Sequence, residues 1–565
     1  MTPRRARAIG WLLALVTVVG VCASSRDLGI ARDEMVYFGA ADKYADWWTG
    51  LVTFQHGVSR ASITASWGGP QPTDNNREHP PVVKTLMGLS HRLLHDKLGL
   101  PELASYRFPQ ALLHGVLVLL VFWFVLDLWG LLEAVAAALL LMLLPRALFH
   151  ASLACFDAPI TTLWFATVYA YWRCLDGRRW PWQVGVLFGL ALGTKHNALL
   201  LPFALGVHYL VAGYRQGQWR GLLAYRWRVI VSLAVVGPLT LVAVWPWLWF
   251  DTVAHVRQWI TFHTTHVHYN FEYLGHNWNA PPFPWHVALV TTLYTVPVAT
   301  LVAAVIGAVV WVRSRGDVAV TLAGRPATGH YPGLLLGLSA VASIAPFFLG
   351  STPIFGAEKH WMPALPSICI AAGVGTAWAA RTLAHELGGR ARMAVLAGVV
   401  AVVALAATVE VVASHPYALT WYNALAGEDA GGADRGMNRQ FWGVAARGVL
   451  PVLASAAPGP AVAPVYSHDA SPAWNYYAKL GLRAPNLPDA GNEQAGIDRS
   501  QLAIVIHERH FNRHDFMVWA AYGTVQPIFV LRAHGVPIVS VYQRPAPRPT
   551  PVTSTVPSPV AAPAP

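Results

Sequence analysis

Long apolar segments dominate this chain as far as residue 413, and they decide the solvent in which it folds. A helix needs about 17 to 25 apolar residues to cross roughly 30 Å of hydrocarbon. We assign eleven such segments, near residues 8–24, 108–127, 130–146, 158–173, 183–195, 197–213, 228–250, 286–312, 332–350, 362–381 and 392–413. With 55% hydrophobic and 12% charged residues, the composition is also too apolar for a soluble enzyme. The sequence therefore predicts a polytopic α-helical membrane protein with about eleven transmembrane helices.

Lys and Arg residues concentrate in alternate loops, and this pattern predicts the orientation of the chain. Short cytoplasmic loops retain positive charge. Basic residues precede the first apolar segment and fill every second loop after it, at Arg4, Arg5, Arg7, Arg173, Arg178, Arg179, Arg215, Arg220, Arg226, Arg228, Arg313, Arg315, Arg325, Arg381, Arg390 and Arg392. We therefore expect an inner (cytoplasmic) membrane protein with its N-terminus inside and its C-terminal part outside. The net charge of +12 then reflects topology. The sequence has no basic stripe interleaved with aromatic residues, so we expect no nucleic-acid partner.

The first apolar segment has a second interpretation. Residues 4–23 combine a basic start, an apolar core and small residues near Ala23, which is also the pattern of a cleaved signal peptide. Cleavage would not change the side of the membrane on which the next residues lie.

The composition becomes mixed after about Pro416. Short apolar runs such as "QLAIVIHE" and "VPIVSVY" alternate with turn-rich stretches, which predicts a small exoplasmic α/β domain at 415–545. It must fold without disulfides, because all cysteines lie in or beside apolar segments, at Cys22, Cys155, Cys174 and Cys369. Residues 546–565 are Pro-rich and are expected to be a disordered tail. Residues 1–414 form the predicted membrane domain, whose first external loop covers 25–107.

The loops assigned to the outer face are long and chemically varied, whereas those assigned to the cytoplasm are short and basic. The first external loop contains "ARDEMVYF" and "NNREHPPVVKTLMGLSHRLL". Later external loops carry "ASLACFDAPITTLWF", "TFHTTHVHYNFEYLGHNW" and "GAEKHWMPALP". Charged candidates thus gather at one membrane face, which indicates chemistry on a membrane-bound substrate.

Several of these motifs together resemble a known family. An acidic pair follows the first span, His-Pro-Pro leads into a helix with a downstream Lys, and Asp-Ala-Pro opens the fourth span. "GLALGTKHNALLLP", "KHWMPALP" and "YALTWYNALAG" follow in order. Over roughly residues 8–425 the chain is similar to the GT-C membrane glycosyltransferases of glycosyltransferase family 39. This family includes the protein O-mannosyltransferases and the lipid A aminoarabinose transferases.

The resemblance implies an enzyme that moves a sugar from a polyprenyl-phosphate carrier to an acceptor hydroxyl on the exoplasmic side. The donor sugar, mannose or another hexose or pentose, stays open. The acceptor also stays open between a protein, lipid A, another envelope glycan and a lipid. A transporter is the main alternative, but ionisable residues near the bilayer midplane and internal repeats are missing from the sequence. A non-catalytic envelope-polysaccharide assembly protein is a third interpretation.

Three carboxylates are candidates for the acid–base chemistry. An acceptor hydroxyl needs a general base, and Asp33 matches the acidic position of the family. Adjacent residues point about 100° apart on a helix, so Glu34 is expected to contact the acceptor or orient the loop instead, or to be a solvated carboxylate. Asp157 stands at the outer mouth of its span, where it is either a site residue or an N-cap-like residue.

The departing phosphate needs fixed positive donors. The resemblance implies this role for Lys84, whose alternative is a Lys that snorkels to the interface. Lys359 and His360 stand where many relatives have an Arg followed by an aromatic residue, and a Lys cannot form the bidentate fork of Arg. Further site-lining candidates are His79, Trp361 and Lys195, although "GTKHN" also suits a turn between two spans.

Histidine-rich runs raise the question of a metal. The spacing lacks a fixed zinc pattern at His263, His266, His268 and His276, and an interfacial loop rich in His, Tyr and Trp needs no ion. Another group follows an apparent strand, at His507, His510 and His514. We expect no metal ligands and no certain cofactor, although a divalent ion stays possible.

The basic loops yield a topology prediction. In a chain with its native cysteines replaced, a cysteine at Asn475 should react with a membrane-impermeant maleimide in intact spheroplasts. A cysteine at Arg178 should react only after permeabilisation, because that loop is assigned to the cytoplasm. Labelling of position 475 only after permeabilisation would contradict the assigned side of every site residue.

Overall fold

The computed structural model describes residues 3–69, 71, 73–175, 181–215, 227–265, 268–313, 331–508 and 512–545. Several residues named above lie outside this part of the chain: Arg178, Arg179, Arg220, Arg226, Arg315, Arg325, His266, His510 and the tail at 546–565. The described chain is mainly helical as far as Ser414, and a β-sheet with short helices follows.

Helices of the first part range from short ones of five residues to long apolar ones of 26 or 27 residues. Their bounds are Pro3–Ser25, Arg32–Val52, Arg60–Trp67, Val82–His91, Glu102–Leu128, Leu131–Met142, Pro145–Ala151, Asp157–Cys174, Trp182–Leu192, Leu201–Arg215, Trp227–Val231, Gly237–Val244, Thr252–Thr264, Val287–Thr295, Val298–Arg313, Pro332–Ile344, Leu365–Leu383 and Gly389–Ser414. Tighter or wider turns extend or join them, with 3₁₀ turns at Asp74–Asn76, His196–Leu200, Pro246–Leu248, Ala345–Phe348, Ala357–His360 and Met362–Ala364 and π turns at Arg92–Lys97 and Ser232–Val236.

By length and composition, six helices in the described residues suffice to cross a membrane, and bent helix pairs raise the number to eight. The six are Arg4–Ser25, Glu102–Leu128, His196–Arg215, Trp227–Val244, Met362–Leu383 and Gly389–Ser414. Leu131–Met142 with Pro145–Ala151 is bent by 67°, and Val287–Thr295 with Val298–Arg313 by 119°. The predicted number of eleven spans is therefore not confirmed.

Three predicted segments form helices that are not among these candidates. Trp182–Leu192 ends at Gly193, because Lys195 adopts an extended backbone two residues later. Pro332–Phe348 is shorter than a bilayer-spanning helix. Asp157–Cys174 is long enough but carries three threonines and an aspartate, and protein surrounds most of it. A helix shielded from lipid in this way does not need an apolar surface.

Two packed helices, Arg32–Val52 and Val82–His91, lie between the Pro3–Ser25 and Glu102–Leu128 helices. The first begins after Ala31, and two acidic residues in its first turn favour the positive end of the helix dipole. The helices approach closely because Gly88 has no side chain, and a Cβ there would overlap the carbonyl oxygen of Ala41. This contact fixes the helix that carries the acidic pair.

Strands appear in two places. β1 (Phe271–Tyr273) and β2 (His276–Trp278) form an antiparallel hairpin between the Thr252–Thr264 and Val287–Thr295 helices. The C-terminal sheet has β3 (Val465–Ser467), β4 (Leu502–Ile506), β5 (Phe529–Ala533) and β6 (Val536–Gln543) in the order β3-β4-β6-β5. β3 and β4 are parallel, and the other pairs are antiparallel. Short helices accompany this sheet, at Glu428–Asp434, Leu450–Ala456, Ser471–Lys479, Gln494–Arg499 and Asn512–Tyr522, with 3₁₀ turns at Ala424–Ala426 and Val444–Val449.

The C-terminal part lies against the chain that leaves the first span. Tyr477 Oη accepts a hydrogen bond from the amide of Ile30 over 2.8 Å. Arg447 donates to the carbonyl oxygen of Leu28 over 2.8 Å. Tyr476 donates to Glu102 over 2.9 Å, at the start of the Glu102–Leu128 helix. The residues just before the acidic pair are therefore held by hydrogen bonds from the C-terminal part.

The close helix crossing predicts that alanine substitutions at two glycines of these helices have different effects on stability. Gly88→Ala should lower the melting temperature in detergent, because backbone must move, and overpacking typically costs about 1–3 kcal/mol. Gly39→Ala is the matched control, since a Cβ at Gly39 meets nothing within 4 Å. It should leave the melting temperature unchanged or raise it, because Ala is the better helix former. Equal melting temperatures for the two variants would contradict the crossing described here.

Candidate active site

Asp157 and Lys195 form a buried ion pair where two helices meet. Asp157 is the first residue of the Asp157–Cys174 helix, and its side chain is 6% exposed. Lys195 lies in the extended break between Trp182–Leu192 and the His196–Leu200 turn. Its Nζ donates to Oδ1 of Asp157 over 2.7 Å. The break in "GTKHN" therefore brings a cation to the N-terminal end of a buried helix.

Lys359 lies beside this pair, inside a cage of aromatic rings. Its carbonyl oxygen is 3.4 Å from Nζ of Lys195. Its own Nζ stands 4.4 Å from the ring centre of Trp442, 5.0 Å from that of Phe355 and 5.5 Å from that of Phe441. Ring faces attract a cation, so the cage stabilises an ammonium that has little access to water.

Both candidate aspartates act on the Lys359 ammonium. Burial lowers the pKa of Lys359 below its usual value, and the negative charges of Asp33 and Asp157 oppose that shift. The structure thus brings together two carboxylates and two amines from four separate segments. We name Asp33, Asp157, Lys195 and Lys359 the central cluster.

Asp33 is the member of the central cluster without a direct partner. It is the second residue of the Arg32–Val52 helix and is half-buried. Its carboxylate makes no hydrogen bond or ion pair with any residue that the structure describes. Tyr37 lies one turn further along the helix, with its ring 4.3 Å from that of Phe156. A half-buried carboxylate with free lone pairs is suited to receive a proton.

Glu34, next along the chain, has an opposite environment. Its side chain is fully buried and accepts two hydrogen bonds from Arg107, each of 2.7 Å. It also accepts from the amides of Ala31 and Ala154, over 2.8 and 2.7 Å. All its acceptor capacity is therefore used inside the protein. This geometry favours the loop-orienting role over contact with an acceptor.

A second buried pair was missed in the sequence. Arg146 donates to both carboxylate oxygens of Glu358, over 3.0 and 2.9 Å. Burial alone would raise the pKa of Glu358, but the Arg146 guanidinium lowers it to about 2. His150 lies between this pair and the central cluster, 3.5 Å from Glu358 and 3.8 Å from Asp157. The available signal was an Arg at the end of a predicted span, where a charge needs a partner.

Lys84 is not brought to the central cluster. Its Nζ donates to the carbonyl oxygen and to Oδ1 of Asn76, the latter over 2.8 Å, and to the carbonyl oxygen of His79 over 3.0 Å. An ammonium has three donors, so none is left for a ligand. Burial lowers the pKa of Lys84 to about 7, although the nearby charge of Glu78 opposes the shift. In this structure Lys84 holds the turn that precedes its own helix.

The other residues that were predicted to line the site lie at different distances from the central cluster. His79 lies near the central cluster, with its ring 5.9 Å from that of Phe156. The ring of His360 bonds the carbonyl oxygen of Phe355, one of the cage residues. Trp361 is 1% exposed and donates to Thr292 over 2.9 Å. Trp361 therefore belongs to the packed interior, while His79 and His360 border the cluster.

The histidine-rich runs form no metal-binding group within the described residues. His263 instead stacks on His196, with ring centres 3.9 Å apart. His507 bonds Ser540 over 2.9 Å, and His514 bonds Tyr466 over 3.0 Å.

Comparisons with known proteins agree with the resemblance. Residues 78–247 match the family model described as dolichyl-phosphate-mannose-protein mannosyltransferase, and the chain is similar to that family there. No curated protein matches the chain. Similar solved structures include ArnT from Cupriavidus metallidurans in the apo state, with 15% identity, a TM-score of 0.48 and coverage of 94% of this chain and 98% of that chain. Another is the archaeal oligosaccharyltransferase AglB from Archaeoglobus fulgidus, with 11% identity, a TM-score of 0.47 and coverage of 93% and 74%.

The contrast between the adjacent carboxylates gives a stability prediction. Glu34→Gln should lower the melting temperature strongly, because it leaves Arg107 as a buried cation without its anion, and breaking such a pair typically costs about 3–5 kcal/mol. Asp33→Asn is the matched control and should leave the melting temperature nearly unchanged, because its carboxylate has no direct partner. Similar losses in both variants would contradict the different environments of the two side chains.

Proposed function

We propose that this chain is a membrane glycosyltransferase that transfers a sugar from a polyprenyl-phosphate carrier to an acceptor hydroxyl on the exoplasmic face. The observation that carries the proposal is the Asp33 carboxylate, which has no direct partner among the described residues, in one cluster with the amines of Lys195 and Lys359. The matched family model, described as a dolichyl-phosphate-mannose-protein mannosyltransferase, supports the donor class.

Asp33 is the proposed general base. The acceptor O–H gives its proton to the Asp33 carboxylate while the acceptor oxygen attacks the anomeric carbon. The bond between that carbon and the phosphate oxygen breaks, and the bonding electrons leave with the phosphate. Attack from the side opposite the leaving group inverts the anomeric centre. The proton, the new bond and the leaving electron pair are all accounted for in this step, and no change of oxidation state occurs.

Lys359 and Lys195 are the proposed cations for the departing phosphate. Fixed positive groups in a water-poor site stabilise developing negative charge strongly, since little reorganisation is needed. Asp157 holds the Lys195 ammonium at 2.7 Å and so fixes its direction. The aromatic cage holds the Lys359 ammonium in one position. This fixed position compensates for the two-donor fork that an Arg would provide and a Lys lacks.

The remaining predicted residues are proposed to support this site. Glu34 orients the turn that presents Asp33, and Lys84 orders the turn that carries His79. His79 and His360 border the substrate, whereas Trp361 packs behind the cluster. Residues 1–414 form the membrane domain, 415–545 an exoplasmic α/β domain and 546–565 a tail, in an inner membrane protein with a cytoplasmic N-terminus.

The test offers purified protein in nanodiscs a panel of polyprenyl-phosphate sugars with a crude envelope acceptor fraction. Wild-type protein should transfer sugar from one of these donors and not from nucleotide sugars. Asp33→Asn should lower turnover by about 10²- to 10⁴-fold, because an amide cannot accept the proton.

Asp46→Asn is the matched control on the same helix. Its side chain is 58% exposed and paired with Arg92 outside the central cluster, so turnover should persist. Transfer from a nucleotide sugar in the absence of any polyprenyl phosphate would overturn the donor class. An Asp33→Asn variant with more than half of wild-type turnover would remove Asp33 as the base.

A further inference from the structure

Three side chains with metal-ligating atoms converge at the far end of the first external loop. His91 ends the Val82–His91 helix, and His95 and Asp96 lie in the Arg92–Lys97 π turn. One ligand atom from each lies within 4.8 Å of the other two. The π turn changes the helical register here, and such turns often occur at functional sites.

The second ring nitrogen of each histidine is already held. Nδ1 of His95 lies 2.7 Å from the carbonyl oxygen of Leu100, so it carries the proton and donates. Nδ1 of His91 lies 3.4 Å from Oδ1 of Asp42. Metal-binding histidines commonly donate one N–H to a carboxylate or carbonyl oxygen, which leaves the other nitrogen as the ligand. His95 has this arrangement, and Nδ1 of His91 lies at ion-pair distance from a carboxylate.

Nε2 of His91 provides an independent observation. This atom is buried and has no hydrogen-bond partner among the described residues. Buried polar atoms without partners are rare in folded proteins and call for an explanation. A bound cation would supply the missing partner.

The ring of His91 also packs against two neighbouring rings. Its centre lies 4.1 Å from that of Tyr106 and 5.0 Å from that of His95, with the planes within 14° and 11° of parallel. Tyr106 donates to both oxygens of Asp42, over 2.7 and 2.8 Å. Asp42 is thus held by Tyr106 on one side and orients His91 on the other.

We propose that His91, His95 and Asp96 form a binding site for a divalent transition-metal ion such as Zn²⁺, with water completing the coordination. Two imidazoles and one carboxylate suit zinc and its neighbours, whereas Ca²⁺ and Mg²⁺ prefer oxygen ligands only. The site is structural and separate from the central cluster. Through Asp42 and Tyr106 it joins the π turn to the helices Arg32–Val52 and Glu102–Leu128. Asp42 follows Asp33 by nine residues, about 13.5 Å along the helix.

The experiment uses full-length protein in detergent, purified without a polyhistidine tag and stripped with EDTA. Co²⁺ titration should produce the visible ligand-field bands of one bound ion, and Zn²⁺ should displace it. Zn²⁺ should also raise the melting temperature, because an ion that binds only the folded state stabilises it. His95→Gln and Asp96→Asn should each weaken Zn²⁺ binding by at least about tenfold.

A control variant and the exposure of Asp96 make the result decisive. His385→Gln is the matched control, because its side chain is 77% exposed beside Glu386, and it should bind as tightly as wild type. Asp96 is exposed, so Asp96→Asn should fold even if changes at the stacked rings disturb the loop. Absence of the cobalt bands in wild type, or unchanged affinity in either His95→Gln or Asp96→Asn, would overturn the proposal. Neither outcome would bear on the glycosyl transfer proposed above, whose assay is independent.

Discussion

The buried ion pair between Glu34 and Arg107 is the contact on which the position of Asp33 depends. It joins the first turn of one helix to the start of the long Glu102–Leu128 helix, and Arg107 also donates to the carbonyl oxygens of Ser25 and Gly29. Charges of this kind are costly to bury unless every donor and acceptor is satisfied. Glu34 accepts four hydrogen bonds and Arg107 donates four, so the pair holds the chain that follows the Pro3–Ser25 helix and the turn that carries Asp33.

The same condition explains the arrangement around the central cluster. Arg146 is matched by Glu358, and Lys195 is matched by Asp157, each within 3.0 Å. Lys359 is surrounded by aromatic rings, which interact with a cation without neutralising it. Arg146 and Lys195 are thus each paired with a carboxylate, while Asp33 and Lys359 make no ion pair with any residue that the structure describes. The two lysines of the central cluster therefore differ in their partners, because Lys195 contacts a carboxylate and Lys359 contacts aromatic rings.

Sequence patterns located the helices well but could not supply these pairings. The length of an apolar segment is a local property of the sequence. A helix therefore lies in each of the eleven predicted segments, even where that helix is too short or too bent to cross a membrane. Partners such as Arg107 for Glu34 or Asn76 for Lys84 depend on how distant or irregular segments meet. The sequence therefore nominated Lys84 and Trp361 by their motif positions, whereas the fold directs one to a turn and the other to the interior.

The helix that carries Asp33 is held at its first turn from two directions. Glu34 fixes it to the membrane part, and Arg32 forms an ion pair with the buried Asp469, directly after β3 of the C-terminal sheet. Burial raises the pKa of Asp469, and the charge of Arg32 opposes that shift, so the two residues depend on each other. The amide of Arg32 also donates to the carbonyl oxygen of Trp442, a residue of the cage around Lys359. Residues on both sides of Asp33 are therefore anchored to parts of the chain that also position the candidate cations. The residue before Asp33 is thus joined by one backbone hydrogen bond to the cage around Lys359.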